Sequence, residues 1–149
     1  MTSVLQDAKL FRNSNGNFSP ADVSELEGKD VIAFYFSAHW CPPCRAFTPE
    51  LKEFYNEANK EDATFEIVFM SFDRSKEDCH KYLKEAHGNW LFIEAEDPKI
   101  EELATKYGVE GIPALILVNK NGEKVHEARA DVSGVPPRVA LSQWIEKTR

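Results

Sequence analysis

Three cysteines are all that this sequence of 149 residues contains. Its opening residues, Met1-Thr2-Ser3-Val4-Leu5-Gln6-Asp7, show neither the basic segment nor the apolar run of a secretory leader. So few thiols in such a chain do not make a structural disulfide framework, and a reducing compartment is expected, the cytoplasm with the nucleus left open. No run of 18 or more apolar residues occurs, which excludes a transmembrane helix. Positive charge is the minority sign, with 18 Lys and Arg against 25 Asp and Glu and a net charge of −7. That balance is unsuited to polyanions, so neither nucleic acid nor an anionic membrane is expected as a partner. Repeats, low-complexity segments and linkers are also missing, so residues 1–149 are expected to form one domain and to act as a monomer. The 42% hydrophobic and 29% charged content is that of an ordinary globular protein.

What is present alternates between strand and helix signals, the pattern of an α/β layered fold. Asn15-Gly16 predicts a tight hairpin near the N-terminus. The apolar runs from Asp30 to Phe36 and from Phe65 to Phe72 predict strands covered on both faces. Phe47, Leu51, Phe54, Tyr55 and Ala58 form a helical stripe, with Pro49 inside it expected to kink the helix. Ser75 followed by Asp78 resembles a capping box, ahead of a face made of Cys79, Tyr82, Leu83 and Ala86. Asp97-Pro98 predicts another helix start, and Gly108 its end. Ala114 to Val118 and Glu123 to Ala128 predict a hairpin turned at Asn121-Gly122, and Pro136-Pro137 a final helix with Leu141, Trp144 and Ile145 facing inward.

The chemistry is concentrated in Trp40-Cys41-Pro42-Pro43-Cys44. Two thiols lie three positions apart where a helix begins, a spacing at which a disulfide closes and reopens with little backbone movement. Unpaired N–H groups and the positive end of the macrodipole favour thiolate there, and thiolate is the nucleophile of disulfide exchange. Half of a zinc site is the alternative. It fits less well, because no second paired cluster accompanies the pair: only Cys79, His39, His80, His87 and His126 remain. Cys79 sits on an apolar helical stripe and reads as a small buried hydrophobe. His39 reads as a solvated loop residue, and His80 and His126 belong to no constellation.

Together with Pro49 and Gly111-Ile112-Pro113, the run from Phe34 through the Cys pair to Pro49 resembles the thioredoxin superfamily, and more closely its tryparedoxin and nucleoredoxin group. The resemblance extends from about Asn15 to about Arg129. It implies a thioredoxin-like fold, a central mixed β-sheet flanked by helices on both faces with an added N-terminal β-hairpin. It also implies an exposed nucleophile at Cys41, a buried resolving thiol at Cys44 and a redox-active Cys41–Cys44 disulfide. Pro113 would be a cis-proline facing the dithiol, with Ile112 offering backbone to a substrate strand and Trp40, Pro42 and Pro43 completing an apolar rim. Asp73 matches the acidic position of the group's Trp-Asp-Glu segment, and Arg129 a basic position after the last hairpin strand. Typical thioredoxins carry a buried Asp and a Trp where Tyr35 and Ser37 stand, so proton transfer to Cys44 must use another group or water, and Asp73 is the candidate. Phe72 and Arg74 replace the segment's Trp and Glu, and residues 131–149 depart from the usual ending.

The expected function is a thiol–disulfide oxidoreductase, a protein-disulfide reductase that needs no metal or organic cofactor. Its expected partners are protein disulfides and an unidentified reductant, either a reductase or a low-molecular-weight thiol. A disulfide isomerase or oxidase, and a redox-dependent binding module, are the alternatives, separated by reduction potential and by turnover of a model disulfide.

Overall fold

The computed structural model of the chain describes residues 2–148. Its centre is a seven-stranded mixed sheet in the order β2-β1-β5-β4-β3-β6-β7. The strands are β1 (Leu10–Ser14), β2 (Asn17–Ala21), β3 (Val31–Ser37), β4 (Phe65–Ser71), β5 (Leu91–Ile93), β6 (Ala114–Val118) and β7 (Lys124–Glu127). The helices are α1 (Thr2–Leu5), α2 (Pro42–Ala58), α3 (Lys76–Ala86), α4 (Pro98–Lys106), α5 (Arg129–Gly134) and α6 (Pro137–Thr148), with a 3-10 turn at Val23–Leu26. β3, β4 and β5 run parallel, and the remaining pairings are antiparallel.

All seven residues of β3 and of β4 are buried, which explains their unbroken apolar runs. Alternate residues feed opposite layers. Val31, Ala33 and Tyr35 pack with Phe47, Leu51 and Phe54 of α2, Tyr82 and Leu83 of α3 and Trp144 of α6. Ile32, Phe34 and Phe36 pack with Ile100, Leu103 and Tyr107 on the other side. Helices therefore cover both faces, and each buried side chain of this size contributes about 1.5–3 kcal/mol. Glu66, a buried charge in β4, is offset by Arg12 at 3.0 Å, by the Tyr55 hydroxyl at 2.9 Å and by the Ile67 N–H at 3.0 Å.

The local signals act as expected at most boundaries. Asn15 and Gly16 both have positive φ, 54° and 88°, in the tight turn between β1 and β2. The Ser75 hydroxyl accepts the Asp78 N–H at 3.1 Å, and the Asp97 carboxylate accepts the Lys99 N–H at 2.9 Å. α2 continues as one helix, Pro42–Ala58, through Pro49, whose ring is exposed. Four elements lie outside the sequence expectations: α1, the 3-10 turn, the three-residue β5 and α5. Among the described residues no helix is long and apolar enough to cross a membrane.

Gly122, in the β6–β7 turn, has φ 79°, and a Cβ built there would lie 2.2 Å from Val4 Cγ2 of α1. Its carbonyl accepts the Tyr107 hydroxyl at 2.7 Å. Gly122→Ala combines a left-handed backbone with a clash and should cost about 2 kcal/mol of stability. Urea unfolding measures this, and an unchanged midpoint would contradict the tight seat of α1 on that turn.

Candidate functional site

Where β3 ends, the chain turns through Ala38-His39-Trp40 into α2, and three segments meet. The loop after β4 holds this turn by two bonds. Asp73 accepts the His39 backbone N–H at 2.8 Å, and the Trp40 indole N–H donates to the Phe72 carbonyl at 3.0 Å. The guanidinium of Arg45 adds a third, donating to the His39 carbonyl at 2.9 Å. The loop before β6 approaches from the other side. Its Ile112–Pro113 bond is cis, and the Cys41 thiol lies 3.8 Å from the Ile112 carbonyl, which accepts from it.

Cys41 is the N-cap of α2, with extended backbone (φ −96°, ψ 109°) and no capping bond from its side chain. Pro42 and Pro43 occupy the first two helical positions, so of the first three N–H sites only that of Cys44 exists. The prolines preset the helix start but remove donors, so the thiols meet a thinner field of N–H groups than a helix N-terminus ordinarily offers.

Both thiols are free, and both are buried. Cys41 keeps 5% of its surface exposed and Cys44 none, because Ala38, Phe72 and Ile112 pack around the pair. The expectation of an exposed Cys41 is corrected accordingly: its side chain is covered by these apolar neighbours. Trp40 is the exposed side chain of the rim, at 55%, with Pro42 and Pro43 exposed beside it and Ile112 half-buried. Pro113 is buried.

Burial pushes the Cys44 thiol up to about 11, and the neighbouring Cys41 thiol adds to the rise; the Ser37 hydroxyl and the Ala38 backbone oppose it. Beneath Cys44 lies a cluster of buried hydroxyls. The Thr48 hydroxyl donates to the Cys44 carbonyl at 2.9 Å and bonds to the hydroxyls of Tyr35 at 2.6 Å and Tyr82 at 2.5 Å. Tyr82 bonds in turn to Ser37 at 2.7 Å. Burial raises both phenols above their ordinary range. Sequence reasoning missed this cluster and looked to Asp73 for proton transfer. Asp73 is buried, but its carboxylate is spent on the His39 N–H and, at 2.7 Å, on the Ser71 hydroxyl. It holds the loop that carries Trp40. Arg129 begins α5 with its guanidinium 6.0 Å from the centre of the Phe47 ring, one turn along α2 from Cys44.

Cys79 is fully buried, its thiol pushed up to about 12 by burial, in the core layer shared by α2 and α3. His39 is not a solvated loop residue. Its Nε2 lies 3.1 Å from Glu85 and its ring packs on Tyr82, tying the turn to α3. His80 pairs with Glu94 at 2.6 Å and His126 with Asp131 at 2.7 Å. No three His, Cys, Asp or Glu side chains gather in a metal-binding arrangement among the described residues.

A sequence model of the thioredoxin-like family matches residues 28–124, which include the Cys pair and Pro113. The chain belongs to the thioredoxin-like family. Tryparedoxin from Trypanosoma brucei brucei is 43% identical over 120 residues, 80% of this chain and 78% of that one. Nucleoredoxin from Danio rerio is 38% identical over 137 residues, 91% of this chain and 31% of that one. The chain spans less than a third of the length of the curated nucleoredoxins it matches. Among solved structures, a thioredoxin from Wuchereria bancrofti superposes with a TM-score of 0.77 at 46% identity, covering 93% of this chain and 94% of that one. The mixed sheet with helices on both faces is therefore the thioredoxin fold, and the β1–β2 hairpin extends it at one edge.

One further group packs on the rings of the hydroxyl cluster without bonding to its hydroxyls. His87 is fully buried among Tyr35, Phe69, Tyr82 and Trp90. Its Nδ1 accepts the Trp90 indole N–H at 3.1 Å, and its Nε2 has no partner. Burial, assisted by Lys52, holds the ring neutral, well below the ordinary histidine value of 6.5. Below pH 6.5 the unfolded chain binds a proton here that the folded chain refuses, so unfolding takes up a proton and stability falls as pH falls. Thermal unfolding of the wild type should lose more stability between pH 6.5 and pH 5 than His87→Phe does. Parallel curves for the two proteins would contradict a neutral buried His87.

Proposed function

We propose that this chain is a protein-disulfide reductase working through Cys41 and Cys44. The observation that carries the reading is the pair of free thiols at the start of α2, with Cys41 against the carbonyl that precedes cis-Pro113. Kinship with tryparedoxins and nucleoredoxins supports thiol–disulfide chemistry in general.

The Cys41 thiolate attacks one sulfur of a substrate disulfide. A new S–S bond joins Cys41 to that sulfur, and the other substrate sulfur leaves with the electron pair and takes up a proton. Cys44 then attacks Cys41. The mixed disulfide breaks, the second substrate thiol departs, and the protein is left with a Cys41–Cys44 disulfide. Two electrons have passed to the substrate, and an external dithiol or reductase returns them. The chemistry uses sulfur alone.

The two cysteines are suited to different parts. Cys41 packs against Ile112, whose carbonyl accepts from its thiol, and keeps the small exposure that Cys44 lacks. Cys44 is sealed and held as a thiol until a mixed disulfide forms beside it. The rim of Trp40, Pro42, Pro43 and Ile112 is apolar, and fits an extended polypeptide by hydrophobic burial and backbone contacts. Asp73 is buried and bound to His39 and Ser71, so of the two charges expected near the rim only Arg129, over Phe47 one turn from Cys44, is free to bias it. Broad use of protein disulfides is the consequence. Insulin reduction driven by dithiothreitol should be accelerated by the wild type and by Cys79→Ala, and not by Cys41→Ser. Equal rates with wild type and Cys41→Ser would contradict the reading.

A further inference from the structure

Among the described residues one buried side-chain nitrogen or oxygen lacks a hydrogen-bond partner, and it is Nε2 of His87. The other ring nitrogen is fixed. An indole N–H only donates, so the Nδ1 that receives Trp90 at 3.1 Å carries no proton, and the ring's single hydrogen is on Nε2. Aromatic side chains enclose it. Ring centres lie 4.2 Å away at Phe69 of β4, 4.3 Å at Tyr82 of α3, 5.3 Å at Trp90 and 6.2 Å at Tyr35 of β3. A second proton has one place to go, Nδ1, where it would point at the Trp90 N–H. Donor would then face donor, and neither N–H of the cation would meet an acceptor. The charged ring does not fit its seat, on hydrogen-bond geometry alone.

The seat lies at a seam. His87 is the C-cap of α3, and its backbone N–H reaches the Leu83 carbonyl at 3.4 Å. Residues 87–90 run outside helix and strand from there to β5. The Trp90 ring lies on Gly88, where a Cβ would approach it to 2.8 Å, so His87, Gly88 and Trp90 pack as one unit. Around the ring, α2 presents Lys52, β3 the Tyr35 phenol, α3 the Tyr82 phenol and β4 only Phe69. Lys52 opposes a second positive charge, and burial keeps both phenols neutral. Tyr82 joins this seam to the dithiol. One edge of its ring packs on His87, while its hydroxyl bonds to Ser37 at 2.7 Å and to Thr48 at 2.5 Å, beneath Cys44.

We propose that His87 is an acid-sensitive latch: on gaining a proton its ring leaves the aromatic box, residues 87–90 swing open, and Tyr82 loses the neighbour that holds it beneath Cys44. The latch stands apart from the reductase reading, because it opens whether or not the thiols turn over.

The direction of the pH effect follows from which state takes the proton. Closed, the ring refuses it. Open, His87 is an ordinary histidine with a value of 6.5. Well above pH 6.5 neither state is charged, and opening is indifferent to pH. Below pH 6.5 opening takes up one proton from solvent and grows more frequent as pH falls. The pairings of β3 with β4 and β6 lie outside the segment released, so the opening is local and the sheet stays intact.

Two readouts follow the latch in the reduced protein. The first is hydrogen exchange of the Trp90 indole N–H by nuclear magnetic resonance, divided by the rate of free indole at the same pH. That ratio should rise about tenfold from pH 7.5 to pH 5.5. In His87→Gln, whose side chain still offers Trp90 an acceptor but takes no proton, it should stay within about twofold. The second is modification of Cys44 by 4,4′-dithiodipyridine in a Cys41→Ser, Cys79→Ala protein, divided by the rate of free cysteine. It should rise in parallel, and not when His87→Gln is added. About 0.5 M urea should change neither readout much, because a local opening exposes little surface. A flat wild-type ratio, an equal rise in His87→Gln, a rise at Trp90 with Cys44 still sealed, or a rise as steep in urea as global unfolding would each overturn the latch. Should His87→Gln fail to fold, His87→Phe decides on the Cys44 readout: a flat curve upholds the latch and a wild-type rise overturns it. A protein that reduces no disulfide leaves both readouts as they are, so the latch and the reductase reading fail separately.

Discussion

The seven buried residues of β3 are the constraint on which the site depends. This strand pairs with β4 on one side and β6 on the other, and its two faces supply both layers of the core. No freedom remains in where it ends. From that fixed end the chain enters α2, while the pairing partners deliver Phe72 and Asp73 after β4 and Ile112 and Pro113 before β6 to the same edge. Parallel pairing makes β3 and β4 finish side by side, and antiparallel pairing makes β6 start there. The pair of thiols is thus placed by strand register, with its loops fastened by single bonds from Asp73, Trp40 and Arg45.

Within this frame the two sulfurs are made unequal by local chemistry. Pro42 and Pro43 begin the helix without donating, so the helix start contributes order more than charge. Cys41 meets a carbonyl and an apolar rim. Cys44 meets no solvent, and a set of neutral hydroxyls stands where a carboxylate would occupy the position of Tyr35 in ordinary thioredoxins. A neutral cluster avoids a buried charge, whose desolvation would weigh on the fold, and retains hydrogen-bonding capacity that can be redirected.

Much of this was legible in the residues alone. Asn15-Gly16, the runs that became β3 and β4, the Ser75 and Asp97 caps and the apolar stripes of α2, α3 and α4 all carry strong local signals, and each element formed where it was expected. β5 is three residues long, too short to show a period, and is recruited by β4 and β1. α5 lacks a side-chain cap and ends at Gly134, so nothing local announces it. The Cys pair and Ile112 do meet, and Trp40 is fastened beside them to the Phe72 carbonyl. Asp73 comes close, but as a fastening of the loop, and Arg129 lies over Phe47, one turn along α2 from Cys44. The hydroxyl cluster was invisible for a physical reason. Ser37, Thr48 and Tyr82 each lie alone on an otherwise apolar surface, and only the packing of three elements brings their oxygens together. His87 reads in the sequence only as a stray metal ligand, and the ring of aromatics around it shows only in the packing.

The central claim is that Cys41 attacks and Cys44 resolves. Removing the resolving thiol should arrest the reaction at its covalent midpoint. Mass spectrometry of Cys44→Ser after exposure to a peptide disulfide, followed by proteolytic mapping, measures this directly. One peptide joined to Cys41 through a disulfide is the predicted product. An adduct on Cys79, or an unmodified protein, would contradict the account.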